Sequence, residues 1–176
     1  LIELAYVVVC LVVFLVLVWR RLEVLGGIRL EETECWRVGP TRDGATYFRA
    51  LCDLVPSDAV AYLEGTVDQE LRDFLTARQI DSPVQVARGT IWPVPDRHHI
   101  RATREHLDAL AEHLEQRPVA LPATHTHVYR VSRLVLEWYD AFADDPIYVS
   151  GEVDEAAVSR FAEALRSGYE WAPHAA

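Results

Sequence analysis

Residues 124–149 read Thr-His-Thr-His-Val-Tyr-Arg-Val-Ser-Arg-Leu-Val-Leu-Glu-Trp-Tyr-Asp-Ala-Phe-Ala-Asp-Asp-Pro-Ile-Tyr-Val. Thr, Val, Tyr and Trp are residue types that fit a pleated, half-buried surface. Side chains alternate between the two faces of a strand. In 124–130 that sets His125, His127 and Tyr129 against Thr124, Thr126 and Val128. In 134–140 it sets Leu134, Leu136 and Trp138 against Val135, Glu137 and Tyr139. The polar link Arg130-Val131-Ser132-Arg133 is short enough for a hairpin. Ala143-Asp144-Asp145-Pro146 has the Asp and Pro chemistry of a turn, after which 147–149 form a third strand. Val135, Leu136 and Tyr139 also fit a helical stripe, an ambiguity inherent in short apolar runs. The alternation favours an antiparallel meander.

Working outward, residues 59–64 predict a buried strand that turns at Gly65-Thr66. Thr66-Val67-Asp68-Gln69 matches a capping box, opening a helix to about residue 79 with Val67, Leu71, Phe74 and Leu75 inward. Residues 84–92 predict a strand, Trp92-Pro93-Val94-Pro95-Asp96 a stiff turn, and 97–101 a short strand. A helix over 103–116 turns Leu107, Leu110, Ala111 and Leu114 to the core, with His106 and His113 at its boundary. Asp43 caps a helix over 45–55, and 153–166 form a last helix with Gly168 at its C-cap. This order predicts an α+β domain over 44–168. Its mixed sheet carries the C-terminal antiparallel meander, with helices over one face, and 169–176 form a frayed tail.

Residues 4–19 are apolar and uncharged, and Arg20 and Arg21 follow at once. A run that is apolar all round, and close to the ~20 residues a bilayer requires, predicts one transmembrane helix within 1–22. Trp19 fits an interfacial anchor, and Arg20, Arg21 and Arg29 place the C-terminal side in the cytoplasm. A signal peptide would carry its basic residues first. Residues 23–43 form a juxtamembrane connector broken by Gly26-Gly27. Any strand in 28–38 is expected to be exposed, because Glu31, Glu32 and Glu34 lie in it.

The chain has 17 Lys+Arg against 27 Asp+Glu, a net charge of −10, and every one of those bases is Arg. An acidic surface excludes nucleic-acid binding through phosphate contacts. Cys10, Cys35 and Cys52 form no CxxC pair, so neither a disulfide framework nor a zinc knuckle is indicated. Cys52 falls on the apolar stripe of its helix and reads as a packing residue.

The sharpest chemical signal is His125-x-His127, whose imidazoles point the same way on a strand and can reach one metal. His98 and His99 are further candidate ligands, and Glu137 or Asp140 could supply an oxygen ligand or a base. That inventory defines one reading, a hydrolase dependent on a divalent metal such as zinc, with His125, His127 and Glu137 as catalytic candidates. A serine triad through Ser132 or Ser150 lacks the G-x-S-x-G elbow. No P-loop, dinucleotide fingerprint, H-E-x-x-H or EF-hand is present. Trp92, Trp138, Tyr139, Phe142 and Tyr148 read as core and rim packing. With no complete catalytic set, the favoured expectation is a membrane-anchored cytoplasmic binding or regulatory module. It needs no cofactor, meets the bilayer through 4–19, and engages a protein partner.

Overall fold

The computed structural model describes residues 30, 33–65, 68–81, 95–116 and 125–173. The predicted membrane helix and the predicted strand over 84–92 lie outside them. Among the described residues no helix is long and apolar enough to cross a membrane.

The fold is α+β. Its strands are β1 (Cys35–Val38), β2 (Val60–Gly65), β3 (Asp96–Arg101), β4 (His125–Arg130), β5 (Arg133–Trp138), β6 (Ile147–Ser150) and β7 (Tyr169–Ala172). Its helices are α1 (Gly44–Leu54), α2 (Gln69–Ala77), α3 (Arg104–Gln116) and α4 (Glu155–Ala164). The strands form one sheet in the order β3-β2-β4-β5-β6-β1-β7. Every described pairing is antiparallel, which corrects the mixed sheet expected from the alternation of helices and strands. The reason lies in the crossovers. α3 joins β3 to β4, two strands that run the same way but flank β2. α4 joins β6 to β7 across β1 in the same manner. Each of these two crossovers skips one strand, and an earlier strand of opposite direction fills the gap.

The meander β4-β5-β6 occupies the middle of the sheet. Its hairpin turns through Val131 and Ser132, with Val131 at φ 57°. The register opposes Arg130 to Arg133. The repulsion is relieved because Arg130 pairs with Asp58 at 2.9 Å and Arg133 with Glu152 at 2.8 Å.

One face of the sheet and all four helices share a single core. Val38, Ala61, Leu63, Ile100, Val128, Leu136, Trp138, Ile147 and Val149 come from the sheet. Tyr47, Phe48, Leu71, Leu107, Leu110 and Phe161 come from the helices at helical spacing. The caps explain where helices begin. The Asp43 carboxyl accepts from Thr46 N at 3.0 Å. The Asp68 carboxyl accepts from Leu71 N at 2.8 Å, so Asp68 is the N-cap of α2 in place of the predicted Thr66.

Two boundaries move. β1 lies inside the sheet between β6 and β7, with Cys35 and Val38 fully buried, so part of the 23–43 connector belongs to the folded domain. Its glutamates precede the strand and leave Cys-Trp-Arg-Val to pair. The tail expected over 169–176 contains β7, which pairs with β1 along its whole length. Trp171 and Tyr169 pack edge-on against Trp36, with ring centroids 4.7 and 5.9 Å away. Gly151 makes room for this: a Cβ there would lie 2.7 Å from the Glu34 carbonyl oxygen and 2.8 Å from the Trp171 ring.

Candidate functional site

Residues directly opposite one another in a sheet share a face. On the face turned away from the core, one cross-strand row runs through all seven strands. Its members are His99, Tyr62, His127, Glu137, Tyr148, Arg37 and Glu170, in spatial order. Every position carries an ionisable side chain. A shorter row beside it joins Arg97, Glu64 and His125. Glu64 is 0%, His127 1% and Glu137 1% exposed, so the middle of this polar face is closed to solvent.

Burying polar groups is unfavourable unless they find partners, and here many are intramolecular. Tyr62 lies between two imidazoles, its ring centroid 4.9 Å from His99 and 5.6 Å from His127. Tyr139 packs edge-on against both His127 and His125, at 5.0 and 5.1 Å. The Tyr62 hydroxyl donates to Glu64 Oε2, and Arg97 reaches the same oxygen at 3.5 Å. Burial, reinforced by the Glu64 carboxyl, raises the Tyr62 phenol pKa and keeps it protonated. His125 Nδ1 accepts a hydrogen bond from Asp140 N at 3.2 Å, which puts the proton of the neutral ring on Nε2. Glu137 Oε2 accepts from the backbone N–H of Leu30 at 2.6 Å. Burial lowers the pKa of His99, as does the adjacent His98.

The structure brings His125, His127, Glu137 and His99 to one face. His98 is on the other, paired with Leu63 toward the core, and burial lowers its pKa too. Neighbours on a strand cannot share a face, so His98 and His99 do not act together. Asp140 lies past the end of β5 at φ 42°, where its N–H serves His125. Among the described residues, no three of His, Cys, Asp and Glu are grouped to hold a metal ion. Ser132 is exposed in the hairpin turn, and Ser150 Oγ accepts from Glu152 N at 3.3 Å as a local turn bond. Cys52 Sγ contacts Phe48 O at 3.4 Å and Asp108 at 3.7 Å. Burial first, then Asp108, pushes its pKa up to about 11, which suits packing and not nucleophilic attack. Trp138 and Phe142 are core residues beside Tyr47.

Sequence reasoning missed Tyr62, Glu64 and Arg97 as members of this face. The available signal was the lone carboxyl closing an otherwise apolar run at 59–64. Compared with family models, with curated proteins and with solved structures, the chain finds no match.

Proposed function

We propose that this chain is a membrane-tethered binding module that works without catalysis in the cytoplasm and engages a protein partner. The observation that carries the reading is the bond from Leu30 N to Glu137 Oε2. Glu137 stands at the centre of the ionisable row and is the carboxyl best placed to serve His127 in catalysis. One of its two oxygens holds main chain. Leu30 follows shortly after the apolar run of 4–19, and Thr33 closes a turn onto the Leu30 carbonyl through its N–H and hydroxyl, both at 3.0 Å. A membrane-proximal segment fastened in this way supports a domain held close to the bilayer in a set orientation. The net charge of −10 supports a protein partner over a lipid surface, because the cytoplasmic leaflet is itself anionic.

Two arms test this. Protease added to sealed right-side-out cells is expected to leave the domain intact, and to digest it after permeabilisation. Photo-crosslinking in cells from exposed positions on different faces (Val131, Glu112 and Trp171) is expected to yield a discrete protein adduct from at least one. Digestion from outside overturns the topology. Absence of an adduct from all three positions overturns the binding reading.

A further inference from the structure

We infer that the free edge of β7 is a docking site for an extended protein segment whose side chains alternate apolar, basic, apolar. The inference rests on the protein-binding reading above and names the surface and the partner chemistry.

Among the described strands, β7 is one of the two sheet edges. Its backbone polarity follows from one bond: Gly39 N donates to Gly168 O at 2.9 Å, so that pair is a hydrogen-bonded one. Antiparallel pairs alternate between hydrogen-bonded and open. Glu170 and Ala172 therefore point their N–H and C=O toward β1, while Tyr169 and Trp171 point theirs outward. Two donors and two acceptors stand in line along the edge, the template on which a further strand adds. The strand is short and bears the charged Glu170, but it carries no Lys, Pro or bulge, three further devices that blunt an edge.

The side chains define what such a strand must offer. Tyr169 and Trp171 are 37% and 42% exposed, and the other exposed large hydrophobic among the described residues, Val131, sits in a hairpin turn. An apolar residue opposite each would extend the Trp36 aromatic cluster by one strand. Glu170 points to the opposite face, with its side chain 69% exposed and Arg37 3.6 Å away. Opposite it, a basic residue would add an eighth position to the ionisable row. Acidic groups continue around the edge. The Tyr169 hydroxyl donates to Glu155 at 3.4 Å. An open cleft of about 370 Å³ beside the start of β7 is lined by Asp144, Pro146, Tyr169 and Glu170, and also by Arg37, which pairs with Glu170.

A second copy paired through its own β7 does not meet these terms. In any two-fold pairing of β7 with itself, Glu170 meets only Tyr169, Glu170, Trp171 or Ala172, none of them a cation. Two copies would also bring together two net charges of −10.

The test uses the full chain in neutral phosphatidylcholine nanodiscs and three synthetic peptides. The first is Val-Arg-Val-Arg-Val-Arg-Val. The second has Glu for Arg. The third is the Arg peptide with alternate backbone nitrogens methylated on the side that would pair. The Arg peptide is expected to bind and to slow amide exchange at Tyr169 and Trp171 by roughly tenfold or more. Glu170→Gln is expected to weaken it roughly threefold, the scale of one exposed charge pair. The Glu peptide and the methylated peptide are expected not to bind. Equal binding of the methylated peptide overturns strand addition, and equal binding of the Glu peptide overturns the charge assignment. Slow exchange at Tyr169 and Trp171 in a dimer without peptide assigns the edge to a second copy and overturns the inference. If the Arg peptide fails while crosslinking from Val131 or Glu112 still captures a protein, the edge assignment falls and the binding reading stands.

Discussion

Replacing Glu137 with Ala separates a structural clasp from a functional carboxyl, because the two readings predict stability changes of opposite sign. In the wild type Glu137 is 1% exposed, Leu30 is 5% exposed, and the bond between them is 2.6 Å long. Truncation leaves the Leu30 N–H buried without an acceptor, which costs ~1–3 kcal/mol. It also empties the space between His127 and Tyr148, its cross-strand neighbours. A total of about 3 kcal/mol, at ~2–4 °C per kcal/mol for a chain of this size, lowers Tm by roughly 6–12 °C. Glu137→Gln keeps an oxygen in the same place and is expected to stay within ~1 kcal/mol of wild type. Thermal unfolding followed by near-UV circular dichroism reads the stability. Amide exchange at Leu30 reads the bond, which the Gln variant retains and the Ala variant loses. A Glu137→Ala protein as stable as wild type, or more so, refutes the reasoning. That is the signature of a group kept for activity at the expense of the fold.

Further expectations follow from single contacts. Gly151→Ala drives a Cβ to 2.7 Å from the Glu34 carbonyl and into the Trp171 ring, so it should cost ~1–3 kcal/mol in urea unfolding; a neutral effect would contradict the packing of β7. Burial lowers the pKa of His98 and His99, so as pH falls through ~6.5 the unfolded chain takes up protons that the fold does not. Stability should therefore be complete above that pH and decline below it, and His99→Gln should make the decline shallower. Cys52, with its pKa pushed up to about 11, should react with iodoacetamide at pH ~8 roughly a hundredfold more slowly than an unperturbed thiol in a Cys10→Ser, Cys35→Ser background.

The meander was legible because period-two alternation leaves a direct trace: His125 and His127 do share a face as their spacing implies. What placed Glu137 opposite His127 was register, and register depends on how the hairpin closes. Tyr62 and Glu64 were hidden for another reason. β2 lies beside β4 although much of the chain separates them, and no local pattern records that adjacency. The same non-local pairing concealed the antiparallel sheet, because β2 and β1 fill the gaps inside the α3 and α4 crossovers. β1 was obscured by Glu31, Glu32 and Glu34 just ahead of only four paired residues. β7 was obscured by its place at the end of the chain, where fraying is the ordinary expectation. The grouping of His98 with His99 failed on a rule already available, since adjacent strand residues point to opposite faces.

The claim most open to direct test is that the row through His127 and Glu137 is a closed structural seam and not a metal centre. The measurement is the metal content of the purified full chain by inductively coupled plasma mass spectrometry. It is made on the wild type and on the His125→Gln, His127→Gln double variant, each before and after dialysis against chelator. Substoichiometric metal is expected in both proteins, with a Tm unchanged by the chelator. Stoichiometric zinc or manganese in the wild type, removed by the double substitution, would contradict the claim.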